Sequence, residues 1–83
     1  MASEPTLHLV ISSVGQNLYD GPAISATIPG SGGEMTILPH HEALVTTLKA
    51  GKITVRIPNQ DPKEFMIESG VLETSGTRAV VLV

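Results

Sequence analysis

Two histidines and a carboxylate, all possible metal ligands, stand next to one another in this 83-residue chain at His40-His41-Glu42. Such groups bind zinc and related metals when three or four of them converge. Adjacent residues on an extended chain point to opposite faces, and His8 is the one further histidine in the sequence. The pattern therefore predicts exposed loop histidines after Pro39 rather than a metal site.

A glycine-rich stretch, Gly30-Ser31-Gly32-Gly33, has the composition of a loop that could cradle a phosphate. A phosphate loop needs a lysine and a helix N-terminus directly behind it. Residues 35–38 instead have the apolar and β-branched character of a strand, and no lysine stands next to the glycines. We predict a hairpin connection here, with a tip that could contact a partner.

The usual sequence signals of nucleophilic catalysis are missing. The chain has no cysteine, and none of its serines lies in a Gly-x-Ser-x-Gly elbow. A chain this short also offers little concave surface for a substrate. We predict no catalytic residue, no bound cofactor and no metal, and therefore a protein that is not an enzyme.

One lysine suggests an alternative chemistry. Biotinyl and lipoyl carrier domains are all-β, of similar size, and present a modified lysine at a hairpin tip. Lys49 lies in a predicted turn, Leu48-Lys49-Ala50-Gly51, but without the acidic residue and the Met or Asp that usually flank such a lysine. An ordinary turn lysine is the preferred interpretation. The alternative is a free-standing β-sandwich module, either a carrier modified at Lys49 or a peptide-binding adaptor.

Strands position these residues, because apolar and polar side chains alternate along most of the chain. The clearest case is residues 52–57, in which Ile53, Val55 and Ile57 share one face. This period of two is typical of a half-buried strand. Phe65 and Ile67 alternate in the same way, and the turn residues between the two segments predict an antiparallel hairpin.

The remaining segments follow the same pattern. Leu18-Tyr19 is predicted as a short strand closed by Asp20-Gly21-Pro22, Pro29 is predicted to end the next strand, and residues 44–48 are predicted as strand rather than helix. The apolar run 79–83 is predicted to pair in the centre of the sheet, or to have been cut from a longer chain. The whole predicts an all-β fold in one domain, 1–83: a small antiparallel β-sandwich or flattened barrel of about eight to ten short strands.

Composition excludes several partners. Five basic residues stand against eight acidic ones, for a formal charge of −3, and the aromatic residues are Tyr19 and Phe65. A nucleic-acid-binding surface needs a basic patch or a stacking platform, so we predict no nucleic-acid partner. No apolar run approaches the roughly 18 residues of a membrane span, and the N-terminus lacks the features of a secretory signal. We expect an acidic intracellular domain.

Taken together, these segments resemble the N-terminal β-sandwich domain of the epsilon subunit of F-type ATP synthases, the counterpart of the mitochondrial delta subunit. Residues 33–51, GEMTILPHHEALVTTLKAG, carry the resemblance. They are similar to the family's Gly-Glu-(Leu/Met)-Gly-Ile-Leu-Pro-Gly-His-Ala-Pro-Leu, followed by an apolar strand and Lys-Pro-Gly. Residues 7–13, 18–21, 64–65, 69–73 and 80–82 match the family's other strands.

The chain departs from this pattern at several turns. His40 and Thr36 replace glycines, Ala43 and Ala50 replace prolines, and Val71 replaces the second glycine of Ser-Gly-Gly. Such changes alter turn geometry around His41. The family's C-terminal helical hairpin would begin past Val83, so the resemblance implies neither inhibition of ATP hydrolysis nor nucleotide binding by this chain.

The resemblance implies a non-catalytic rotor subunit in the central stalk, peripheral to the cytoplasmic face of the bacterial inner membrane. It would bind the gamma subunit and the loops of the c-ring within a hetero-oligomeric complex that couples ion translocation to ATP synthesis. By position, Glu34 and His41 would contact the c-ring. The residues that would face the gamma subunit are Ser13, His41, Leu44, Val45 and Thr46.

Overall fold

The computed structural model describes residues 5–83, except for the side chain of His41. Within that range the chain forms nine strands and no helix, which confirms the predicted all-β class. The strands are β1 (Leu7–Ser13), β2 (Gln16–Ala23), β3 (Ser25–Gly30), β4 (Gly33–Ile37), β5 (His41–Leu48), β6 (Gly51–Arg56), β7 (Lys63–Ile67), β8 (Gly70–Gly76) and β9 (Arg78–Leu82).

The nine strands form one curled sheet that folds back on itself. Five strands pair in the order β2-β1-β9-β8-β5, and four pair in the order β4-β3-β6-β7. The two groups meet where Gly30 of β3 pairs with Leu48 of β5. This arrangement is the predicted β-sandwich, and residues 44–48 are strand as expected.

Alternating side chains from both groups form the core between them. Ile53 and Val55 of β6 are fully buried, as the period-two pattern predicted, and β6 pairs antiparallel with β7. Leu72 of β8 and Val81 of β9 come from the other group and are equally inaccessible. Burying such side chains contributes about 1.5–3 kcal/mol each, which makes this core the main source of stability.

One strand pair is not antiparallel. The terminal strand β9 pairs with β8 on one side and runs parallel to β1 on the other, with Leu9 opposite Ala79 and Ile11 opposite Val81. The expectation that this apolar run lies inside the sheet is confirmed, and all the other strand pairs of the described residues are antiparallel. A parallel pair needs a long connection, and here almost the whole chain lies between its two members.

Two predicted strand ends were wrong. β2 continues through Asp20-Gly21-Pro22 to Ala23, because an edge strand tolerates proline and glycine. β3 continues through Pro29 to Gly30. The Pro29 carbonyl accepts the N–H of Lys49 at 2.9 Å, so this position uses the acceptor that proline retains and not the donor that it lacks.

Aromatic side chains close one open side of the sandwich, where the edge strands β2 and β7 face each other. The rings of Tyr19 and Phe65 lie 6.4 Å apart, and the Lys63 ammonium lies 5.7 Å from the Tyr19 ring centroid. The Tyr19 hydroxyl donates a 2.5 Å hydrogen bond to the Pro22 carbonyl. Burial raises the pKa of the Tyr19 phenol above its ordinary value.

We expect Tyr19 to make the fold sensitive to alkali. The unfolded chain loses the phenolic proton at a lower pH than the folded chain, so this stability is complete below about pH 10 and is lost as the pH rises through the folded pKa. Tyr19→Phe removes the titration, and with it a hydrogen bond of about 1 kcal/mol. Chemical denaturation from pH 8 to 11 should therefore show a smaller alkaline loss for Tyr19→Phe than for the parent chain. Parallel pH profiles would contradict the assignment.

Candidate functional site

A groove runs between the edge strands β4 and β5, on the side of the sandwich opposite the aromatic contact. Its volume is about 330 Å³. It brings together Glu34, which the resemblance assigns to the c-ring contact, and Leu44 and Thr46, which it assigns to the gamma contact. Its lining residues are Gly30, Gly32, Gly33, Glu34, Met35, Leu44 and Thr46.

The glycine-rich hairpin between β3 and β4 fixes one end of this groove. A Cβ on Gly30 would lie 2.8 Å from the Gly33 carbonyl oxygen, so this tight turn excludes a side chain there. Ser31 joins the hairpin to β5, because its N–H donates to the Thr47 carbonyl at 3.0 Å and the two hydroxyls lie 2.8 Å apart. The stretch is therefore a hairpin connection, as predicted, and it holds the exposed Glu34 at the mouth of the groove.

The other predicted contact residues lie at different places on β1 and β5. Ser13 ends β1 and pairs with Gln16, and the register through β9, β8 and β5 places this turn at the same end of the sandwich as the glycine-rich hairpin. The backbone of His41 pairs with Gly76 at the opposite end of β5 from Leu48. Since the side chain of His41 lies outside the described part of the structure, its predicted contacts stay predictions.

The outer face of the five-stranded group carries an apolar patch that sequence analysis only partly identified. Val45 is 67% exposed, Val71 40% and Leu82 57%. Leu82 lies directly opposite Val71 in the register, and Val45 lies opposite Glu73. The sequence does show apolar residues at the outward positions of these strands. Whether they lie next to one another depends on the strand order, which the sequence does not show.

Other candidate chemistry does not converge. Among the residues with described side chains, no three histidine, aspartate or glutamate residues lie close enough to hold a metal ion. The His8 Nε2 atom lies 2.6 Å from Asp20 Oδ1 in an exposed hydrogen bond, and His40 is exposed in a loop.

A wide depression of about 770 Å³ near the β6–β7 loop is open to solvent and lined by Ile24, Arg56, Ile57, Asn59, Gln60, Asp61 and Pro62. No helix in the described range could span a membrane.

Lys49 is not at a hairpin tip. The turn that contains it connects β5 to β6, which do not pair with each other, since β5 pairs with β8 and β6 pairs with β7 and β3. The turn therefore crosses from one group of strands to the other. This geometry differs from the hairpin tip that the carrier-domain alternative assumes for Lys49.

Comparison with known proteins assigns the fold to a family. Residues 6–83 match the family model described as "ATP synthase, Delta/Epsilon chain, beta-sandwich domain". The chain belongs to this family. The ATP synthase epsilon chain of Nitrosomonas eutropha is 35% identical over 75 residues, and that of Stenotrophomonas maltophilia strain K279a is 36% identical over 77 residues. These alignments cover 90% and 93% of this delta/epsilon-type chain.

The delta/epsilon-type chain spans about half of these relatives, 54% and 55% of their lengths. Among solved structures, a chain of the Euglena gracilis mitochondrial ATP synthase (OSCP/F1/c-ring) has a TM-score of 0.89 at 20% identity, covering 95% of this chain and 51% of that one. A chain of the Tetrahymena thermophila mitochondrial ATP synthase central stalk and c-ring has a TM-score of 0.76 at 12% identity, covering 99% and 66%. At these identities the likeness concerns the fold.

Proposed function

We propose that this chain is a non-catalytic central-stalk subunit of an F-type ATP synthase that docks on the gamma subunit and on the c-ring. The family match over residues 6–83 is the observation that carries the proposal. In this role the domain transmits torque between ion translocation and ATP synthesis without binding nucleotide. It would lie at the periphery of the membrane, on the cytoplasmic face in a bacterium.

The end of the sandwich that carries the glycine-rich hairpin supports a c-ring contact. Glu34 is exposed there, and its carboxylate forms no ion pair with any of the described residues. The chain carries a formal charge of −3, and basic residues in a c-ring loop would complement this carboxylate. Complementary charges at the rim of an interface chiefly increase the association rate and set the register.

The β5 side of the sandwich supports a gamma contact. Leu44 and Thr46 are half-buried in the groove, and Val45 is mostly exposed on the outer face beside Val71 and Leu82. Exposed apolar patches of this kind mark protein–protein interfaces. Docking would remove this surface from water, which matters for a small domain that buries only about 60–65% of its unfolded surface.

Charge reversal at Glu34 tests the c-ring contact. We expect Glu34→Lys to weaken coupling, seen as a roughly two- to tenfold loss of ATP-driven ion pumping per ATP hydrolysed in vesicles, because an interfacial like-charge contact costs on the order of 1 kcal/mol. Asp61→Lys is the matched control. Asp61 is also an exposed carboxylate, but it lies in the loop between β6 and β7, at the end of β6 far from the glycine-rich hairpin. Equal coupling in the two variants would remove Glu34 from the interface.

Recovery of partners tests the stalk role as a whole. The tagged chain should recover the gamma subunit together with the alpha and beta subunits from detergent-solubilised host membranes, as identified by mass spectrometry. Recovery of the tagged chain alone would contradict the proposal. An intact mass measured from the native host distinguishes the carrier alternative, since a biotinyl or lipoyl group on Lys49 would increase the mass.

A further inference from the structure

The described sheet has four edge strands, and three of them are protected against pairing with another chain. β2 carries Asp20 and Pro22 and a bulge next to Ser12. β7 begins with Lys63-Glu64 and is covered by the aromatic contact with β2. β4 is only five residues long. Charges, proline, bulges and short length are the devices by which natural sheets prevent edge pairing.

The edge of β5 has a bulge between His41 and Leu44, but residues 44–46 that follow it carry none of these devices. The sequence of this regular segment is Leu-Val-Thr, which is uncharged and contains two β-branched residues. One side of this segment pairs with β8, and the side toward β4 forms the wall of the groove. An unprotected edge of this composition is suited to accepting an additional strand.

Backbone geometry shows which groups the edge offers. The Thr47 carbonyl accepts the Ser31 N–H, so the polar backbone groups of Thr47 point toward β3 and β4. Because this direction alternates along a strand, the N–H and C=O of Val45 also point toward the groove, away from β8. Among the described residues these two groups have no backbone partner.

The groove beside this edge has a volume of about 330 Å³. A Cβ built on Gly32 or Gly33 meets no atom within 4 Å, so the space beside the hairpin is open. Met35 and Leu44 provide apolar surface, and Glu34 provides a carboxylate at the mouth. These features favour an extended segment with an aliphatic side chain and a basic side chain.

We propose that β5 binds its partner by strand addition: an extended, basic segment of a partner chain pairs through its backbone with Val45 and lies in the groove between β4 and β5. This inference rests on the proposed stalk role, because the segment is taken to come from a stalk subunit. It adds that backbone hydrogen bonds, rather than side-chain contacts alone, hold this edge to the partner.

Hydrogen exchange of the wild-type chain tests the inference directly. The amide of Val45 should exchange at least about tenfold more slowly in the co-expressed, purified stalk complex than in the chain alone, because a backbone hydrogen bond forms there. The amide of Met66 on the edge strand β7 is the internal reference. An unchanged rate at Val45 in a complex that does form overturns strand addition and leaves the stalk role standing.

A pair of variants separates backbone from side chain. Val45→Pro removes the N–H that points to the groove and leaves the β8 hydrogen bonds intact, whereas Val45→Ala removes only side-chain atoms. We expect Val45→Pro to bind the partner about tenfold more weakly than Val45→Ala. Equal affinities overturn the inference. If circular dichroism shows that Val45→Pro is unfolded, the exchange rate of the wild-type Val45 amide decides, and an unchanged rate in the complex overturns the inference.

The wild-type complex distinguishes the two proposals. If the wild-type chain forms no complex with the co-expressed gamma and c subunits, the stalk role is overturned and strand addition with it. If it forms a complex in which the Val45 amide is protected and Val45→Pro is impaired, both proposals are supported.

Discussion

Leu72→Ala is expected to lower the free energy of unfolding by about 2–5 kcal/mol. Leu72 is 1% exposed, in the layer of side chains between the two groups of strands. Alanine would leave a cavity that the surrounding strands can close only in part. An 83-residue domain has a stability of about 4–12 kcal/mol, so one such change could remove most of it.

Leu82→Ala is the matched control for this prediction. Leu82 is more than half exposed and lies on the outer face of the neighbouring strand β9. The same chemical truncation there should change the free energy of unfolding by less than about 1 kcal/mol. Urea denaturation of both variants measures the difference. Similar losses would mean that the inner and outer faces of β8 and β9 are assigned incorrectly.

Val45→Arg is expected to weaken binding to the gamma subunit by about 100-fold. The change places a long charged side chain on a mostly exposed position of the proposed gamma-facing surface. The isolated fold should tolerate it, because Glu73 lies directly across the strand pair and can form an exposed ion pair with the arginine. Docking would then require the removal of a charge and its ion pair from water.

Met66→Glu is the control on the opposite side of the sandwich. Met66 is 77% exposed on β7 and lies opposite Lys52, so this variant also introduces a charge beside its complement. We expect the parent affinity for the gamma subunit from Met66→Glu, measured by titration with the purified partner. If Val45→Arg also binds normally, the β5 side is not the gamma interface.

Local patterns predicted the strands well, because a period of two is a property of consecutive residues. Ile53 and Val55 could be assigned to the core from their spacing alone, and the turn residues after Ile57 indicated the β6–β7 hairpin. The errors at Pro22 and Pro29 have a common cause. Proline ends a strand when its missing N–H is needed, and that need depends on which neighbours the strand has.

The predicted site residues also depend partly on the sequence and partly on which strands become neighbours. Glu34, Leu44 and Thr46 were assigned from a family resemblance, and the structure adds that they line one groove. His40, which stands at a position where the family has glycine, adopts a φ of +66°, and its N–H donates to the Gly76 carbonyl at 2.8 Å. The left-handed backbone explains why glycine suits that position. The sequence shows only the substitution.

The sequence by itself determined the all-β class, the buried face of most strands and the family, since each depends on residue types and spacings that a linear reading contains. The tertiary structure alone decided the parallel pairing of β1 with β9, the apolar patch formed by Val45, Val71 and Leu82, and the free edge of β5. These features depend on which strands become neighbours. Neighbours are selected by the burial of the whole core, a sum over distant segments that no local pattern records.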